Sequence, residues 1–144
     1  GNITSKGQLN LSDANEDHTI SGTLTVSKAV SADANLTIGG KVILGSPTEL
    51  TISSGAITVT KSYHKVDTEG DAGSDALGTI NGGVAGMTLI LQAADSARTV
   101  VVSEGDNIKL SSAGNFNLDH VDDTIQLICV DGSNWCELSR SDNS

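Results

Sequence analysis

The chain has 144 residues, the size of one ordinary domain, and its 8 Lys and Arg against 18 Asp and Glu give a formal net charge of −10 at neutral pH. So acidic a chain lacks the basic surface that nucleic acid or an anionic membrane requires, and we expect neither as a partner. Its longest apolar run is too short to span a bilayer.

Aromatic residues are scarce, with one Trp, one Tyr and one Phe, or 2% of the chain. Because aromatic side chains usually supply much of a core, the apolar mass here must come from Leu, Ile, Val, Ala and Thr methyl groups. We expect a thin core that is marginal for a single copy. Oligomerisation is a common remedy.

The first part of the chain repeats a short apolar phrase between clusters of Gly, Ser, Asn and Asp. The triplets are LNL (9–11), LTV (24–26), LTI (36–38), VIL (42–44), LTI (50–52) and ITV (57–59). Each has too few apolar positions to bury a face of its own. Two interpretations stay open: short strands of an ordinary sandwich, or a segment in which three copies share a core. We predict an N-terminal arm of short β-strand repeats over residues 1–56.

Longer strand patterns follow, separated by Gly and Asx turns at intervals typical of all-β proteins. The pattern predicts an all-β protein whose residues 57–144 form an antiparallel β-sandwich or barrel-like module. Predicted strands cover 57–66, 87–93, 98–105, 107–111 and 115–119, and a long acidic loop covers 67–83 with Leu77 and Ile80 as its packing anchors.

The segment from Thr124 to Ser139 predicts a β-hairpin turning at Gly132-Ser133. With that turn, Cys129 lies opposite Cys136, and Trp135 lies on a mixed outer face. The other face is apolar, and the pairing allows a cross-strand disulfide or two buried free thiols. The predicted structural residues are Leu127, Cys129, Trp135, Cys136 and Leu138.

No pattern of catalytic, cofactor-binding or metal-ligating residues stands out. His18, His64 and His120 are isolated from one another and from other ligand types. The carboxylates of the 67–75 segment do not follow a calcium-loop order, and we expect a solvated acidic loop there. Asp119, Asp122 and Asp123 are expected to serve as turn residues. We therefore predict a non-enzymatic protein without cofactor or metal.

Three stretches carry a resemblance to a known class: SYHKVDTEGDAGSDALGTINGGVAGMTLIL (62–91), RTVVVSEGDNIKL (98–110) and DDTIQLICVDGSNWCELSRSDN (122–143). Together they resemble a terminal module of tailed-bacteriophage virion proteins, over about residues 60–143. The most specific part is the phrase Trp135-x-Glu137-x-Ser139-Arg140. The arm phrases GTLTV (22–26) and NLTI (35–38) are similar to shaft repeats of phage tail fibres.

The resemblance implies a homotrimeric, β-rich structural protein on the virion surface. We expect a capsid decoration (cement) protein bound to the major capsid protein on the outer head, since the chain is short and opens without a long shaft. The alternative is the distal module of a tail fibre or tailspike that binds a host-surface receptor such as a glycan. A glycan-cleaving spike fragment stays open as an enzymatic alternative, because carboxylates from distant loops can converge.

Overall fold

The structure, a computed structural model, describes residues 21–111 and 114–143. By compactness the chain divides into two units, Gly1–Gly40 and Lys41–Ser144. The following description takes each unit by itself.

Residues 21–47 contain no strand, and nearly all of their side chains are exposed. The triplets at 24–26, 36–38 and 42–44 were predicted as strands, and for the single chain that prediction is wrong. Each triplet offers two or three apolar positions and no neighbouring strand to pair with, so nothing stabilises an extended ladder. The triplet at 9–11 lies outside the described residues.

The described part of the second unit forms eleven strands and one short 3-10 turn at Glu69–Asp71. The strands are β1 Thr48–Thr51, β2 Ala56–Thr58, β3 Tyr63–Asp67, β4 Ser74–Leu77, β5 Thr79–Asn81, β6 Thr88–Ala93, β7 Thr99–Val102, β8 Ile108–Lys109, β9 Phe116–Leu118, β10 Thr124–Cys129 and β11 Trp135–Ser141. No α-helix occurs among the described residues, and the predicted all-β class is confirmed. The predicted domain boundary after residue 56 falls inside β2.

Three sheets form, and they mix parallel with antiparallel pairs. The largest has the order β1-β3-β6-β10-β11-β8, and two smaller sheets pair β2 with β5 and order β4-β7-β9. Five of the strand pairs are parallel. In four of them the partner lies 23 to 27 residues further along the chain, as with Ala56 and Thr79 or Tyr63 and Ile90. Parallel partners that recur at this spacing are typical of a chain wound in successive coils. The arrangement is therefore solenoid-like rather than a clear sandwich.

Two local predictions also differ from the structure. The predicted strand 57–66 is interrupted between β2 and β3, because residues 60 and 61 turn to donate their N–H groups to His64. The predicted loop 67–83 contains two short strands, β4 and β5, which pair in parallel with β7 and β2. Its expected anchors, Leu77 and Ile80, are both buried.

One apolar core joins all three sheets. Its buried residues are chiefly Ile, Leu and Val, with Trp135 and Phe116 as the aromatic members of the cluster. The inward residues of β6 and β10 alternate strictly with half-buried outward ones, as the pleat requires. The strand-bearing unit of a single copy therefore fills its own centre, although the scarcity of aromatic residues predicted a core too thin for one copy.

His64 is a buried polar centre that ties β1 to β3. Its Nε2 accepts hydrogen bonds from the backbone N–H groups of Thr60 (3.1 Å) and Lys61 (3.0 Å), so Nε2 carries no proton. The ring proton then sits on Nδ1, which lies 2.9 Å from Thr48 Oγ1 and 3.1 Å from the Thr48 carbonyl oxygen. One imidazole thus pairs with the N–H groups of Thr60 and Lys61 in the turn and with the Thr48 carbonyl oxygen in β1.

We expect His64→Leu to lower the free energy of unfolding by about 1–2 kcal/mol, because the N–H groups of Thr60 and Lys61 lose their buried acceptor. Chemical denaturation measures the change. His120→Leu is the matched control, since His120 lies at the surface, and it should change stability by less than about 0.5 kcal/mol. Equal effects of the two substitutions would contradict this role of His64.

Candidate functional site

The register of the closing hairpin differs from the predicted one by a single residue. The N–H group of Val130 donates to the carbonyl oxygen of Asn134 (2.8 Å), which closes a three-residue loop, Asp131 to Ser133, in place of the predicted two-residue turn. Cys129 consequently pairs with Trp135, and the predicted pairing of Cys129 with Cys136 is wrong. A shift of one residue moves Trp135, Cys136 and Glu137 to the opposite face, up to the bulge further along the hairpin.

The side chain of Asp131 is the local cause of the longer loop. Its Oδ1 accepts hydrogen bonds from the N–H groups of Ser133 (2.8 Å) and Asn134 (2.7 Å), and its Oδ2 accepts one from Asn134 Nδ2 (2.7 Å). The bonds from Asn134, with that from Ser133, lower the pKa of Asp131. Gly132 takes a φ of 95°, which favours glycine at that position.

The new register rearranges the five predicted structural residues. Leu127, Cys129 and Trp135 are fully buried, with Trp135 facing the core rather than the predicted outer face. Cys136 is half-buried, and Leu138, predicted on the apolar face, is 54% exposed. A bulge between Gln126 and Leu127 leaves Leu138 outside the regular pairing. Both thiols are free.

Trp135 is held by a close-fitting socket. Its Nε1–H donates to the carbonyl oxygen of Ile80 (3.1 Å), and its backbone N–H donates to that of Asn107 (2.7 Å). Gly83 lies against the indole: a Cβ there would stand 2.9 Å from Trp135 Cζ2 and 2.6 Å from Cys129 Sγ. A larger residue at position 83 has no room.

Asn107 links three segments around this socket. Its Oδ1 accepts from the N–H of Ile80 (3.0 Å), while its Nδ2 donates to the carbonyl oxygens of Ile80 (2.8 Å) and Ser133 (2.7 Å). Asn107 was not singled out from the sequence, and Gly83 fell at the end of the predicted loop 67–83. No local pattern marks either residue, because their partners lie 26 or more residues away.

The acidic segment 67–75 was predicted to be a solvated loop, but it is not solvated throughout. Asp67 is buried and receives two hydrogen bonds of 2.7 Å from Arg98, through Nε and Nη2. Asp95 and Asp71 lie 3.2 Å and 3.3 Å from the same guanidinium, whose pKa is raised first by its bond to Asp67. This charge cluster joins the end of β3 to the loop before β7.

Asp123, predicted as a turn residue, is a buried anchor for the end of the chain. Its carboxylate accepts hydrogen bonds from the N–H groups of Asn143 (2.7 Å), His120 (2.8 Å) and Asp119 (3.1 Å). Burial alone would raise the pKa of Asp123, but these bonds outweigh it and lower the pKa. The neighbouring Asp119 has a raised pKa, through its own burial and then its contact with Asp123.

A second ion pair fixes β11 to the segment before β9. Arg140 donates from Nε to Glu137 Oε1 (2.6 Å), and its guanidinium carbon lies 5.1 Å from the centroid of the Phe116 ring, within cation–π range. The bond from Arg140 lowers the pKa of Glu137, whose other oxygen accepts from the N–H of Ser111 (2.7 Å). These contacts involve two residues of the Trp135-x-Glu137-x-Ser139-Arg140 phrase and give them structural roles.

The groups that offer chemistry are thus engaged in holding the backbone. Over residues 21–111 and 114–143, no cavity opens and no three His, Cys, Asp or Glu side chains are grouped closely enough to hold a metal ion. In the same residues, no helix has the length and apolar character needed to cross a membrane. No family model, curated protein or solved structure matches the chain.

Gly83→Ala should lower the free energy of unfolding by about 1–3 kcal/mol, because the added methyl group forces Cys129 and Trp135 to shift. The shift should also change Trp135 fluorescence in the folded protein. Gly40→Ala is the control, since no atom lies near its Cβ position. An unchanged melting temperature for Gly83→Ala would show that the socket is loosely packed.

Asp123→Asn should lower the free energy of unfolding by about 1–3 kcal/mol at neutral pH. The amide has a single acceptor oxygen, so it cannot replace both carboxylate oxygens of Asp123. The folded-state pKa is lowered, so the stabilisation by Asp123 is present above its ordinary pKa of 3.8 and is lost as the pH falls through the lower folded value. The difference between wild type and variant should therefore shrink below about pH 4. A difference that is constant from pH 7 to pH 2 would contradict the charged role of Asp123.

Proposed function

We propose that this chain is a non-enzymatic structural protein of a tailed-phage virion: a homotrimeric capsid decoration protein that binds the major capsid protein on the outer head and stabilises it. The resemblance of residues 60–143 to virion modules supports the phage assignment. The exposed apolar residues described next support an assembled state.

The observation that carries the proposal is a run of exposed apolar side chains before β1, here named the apolar segment (residues 24–44). Its large apolar side chains are all exposed, and Ile43 reaches 82% exposure. Its large apolar members are Leu24, Val26, Val30, Leu36, Ile38, Val42, Ile43 and Leu44.

Exposed apolar groups in such number favour association, since their burial contributes about 25 cal/mol per Å². The segment forms no strand and has no strand partners among the described residues, so it suits a shared core with other copies or a docking site on a capsid lattice. Both surroundings are combined in a decoration protein. The acidity of the chain accords with exposure on the outside of a particle rather than with contact to packaged nucleic acid.

A distal tail-fibre or tailspike module that binds a host-surface receptor remains the second candidate. It is favoured by the solenoid-like pairing, in which parallel partners recur 23 to 27 residues apart. Stacked coils of this kind extend along one axis, as a fibre does. The shaft-like phrases at 22–26 and 35–38 point the same way.

An enzymatic role has less support from the side-chain geometry. A glycosidase needs two carboxyl groups facing each other across a substrate groove. Here Asp67 binds Arg98, Glu137 binds Arg140 and Asp123 binds backbone N–H groups. Each of these three carboxylates is directed at a partner within the fold.

Labelling of intact virions with an antibody raised against the chain separates the two structural candidates. The decoration proposal predicts label spread over the whole head, because each capsid facet offers equivalent binding sites. Label confined to the tail would contradict decoration and support the fibre module. Particles that lack the chain should also lose DNA at a lower temperature if the protein stabilises the head.

A further inference from the structure

The largest sheet has an outer face whose centre carries no charge. In β6 and β10 every second side chain points away from the core, and in β11 Cys136 and Leu138 do so as well. The outward residues of these three strands are Thr, Gln, Ser, Ile, Leu and Cys. Ile90, Ile128, Cys136 and Leu138 are the apolar ones, and Ile128 pairs directly with Cys136. We call this surface the neutral face.

Several polar groups of the neutral face have partners within the chain. Gln92 accepts a hydrogen bond from the Tyr63 hydroxyl and donates to the carbonyl oxygen of Val121 (2.6 Å). Ser139 Oγ lies 3.4 Å from Gln126 Oε1. These groups would keep their hydrogen bonds if the face were covered, which lowers the cost of removing it from water.

Charge decides which partner suits this surface. The chain carries a net charge of −10, so two copies repel each other over most of their surfaces. The centre of the neutral face contributes nothing to that repulsion. On the outer face, Glu49 and Lys65 pair on the flanking strands β1 and β3, and Lys109 on β8 stands next to Cys136. The charged residues of β11, Glu137 and Arg140, pair with the buried Leu127 and Ile125 on the inner side. Depletion of charge at the centre with polar groups around it is typical of protein interfaces.

We propose that the neutral face is the surface on which copies of this chain associate, with the face of each copy turned toward the axis of the assembly. The inference deepens the proposed trimer and rests on it. It assigns Ile128, Cys136 and Leu138 to the interface, and it leaves the apolar segment available for the remaining contacts.

The two cysteines allow a direct test on the full chain. Cys129 is buried in the core, whereas Cys136 is half-buried on the neutral face. A maleimide reagent should therefore label Cys136 in a dilute, dissociated sample and lose that reaction as the concentration rises and copies assemble. Cys136→Ser should abolish the labelling of the dilute folded protein, which assigns the signal. Sedimentation velocity on the same samples reports the assembly state.

Leu138→Asp places a charge on the neutral face, and we expect it to weaken association by about 100-fold and restore maleimide labelling at high concentration. Leu138 is 54% exposed, so the single copy should fold normally. Val84→Asp is the matched control. Val84 is also exposed and apolar, at 67%, but lies in the loop before β6, and its substitution should leave association unchanged.

Three results would overturn the inference. If the wild-type protein is a trimer whose Cys136 reacts freely and Leu138→Asp still assembles, the neutral face is open and only this inference fails. If Cys136 is protected equally at all concentrations, the face is covered by the chain's own residues. If the wild-type protein stays monomeric at micromolar concentration, the proposed trimer fails as well.

Discussion

The three-residue loop between β10 and β11 sets the register of the closing hairpin, and with it the positions of Trp135 and Cys136. Because Asp131 binds the N–H groups of Ser133 and Asn134, the loop is one residue longer than a tight two-residue turn. That residue turns Trp135 inward, where its indole meets Ile80 and fits against Gly83. It also turns Cys136 outward, so one local hydrogen-bond pattern determines both the main aromatic member of the core and the character of the outer face.

Burial is divided unevenly along the chain. The strand-bearing unit closes its own core with aliphatic side chains, and its ion pairs and buried His64 satisfy the backbone at the points where short strands end. The apolar segment has no such support among the described residues. We propose that dependence on other molecules lies with residues 24–44 and with the neutral face, rather than with the core as a whole.

The sequence predicted the class of the fold and several strands well. Alternation over 88–93 and 124–129 reports local pleating, which is why β6 and β10 were found with nearly correct bounds. Parallel pairing was not predicted, because it joins segments 23 to 27 residues apart that carry no shared local signal. The strands β4 and β5 were missed because they are only four and three residues long and lie among Gly and Asp, so they show no period.

The hairpin shows how far the candidate site could be predicted from the sequence. Its position and its turn residues were visible in DGSN (131–134), but its register depended on which side-chain oxygen satisfies which N–H group. A one-residue error then misplaced Trp135, Cys136 and Leu138 together. Asn107 and Asp123 were out of reach, since the geometry of distant backbone groups gives them their roles.

We propose that one copy folds its strand-bearing unit alone, while residues 24–44 depend on other copies or a capsid surface. Hydrogen–deuterium exchange on the full chain, dilute and concentrated, tests this most directly. The account predicts slow exchange in β6 and β10 at both concentrations, and protection of residues 24–44 only where copies assemble. Rapid exchange of residues 24–44 both in a sample shown to be fully assembled and in the protein bound to capsids would contradict this dependence.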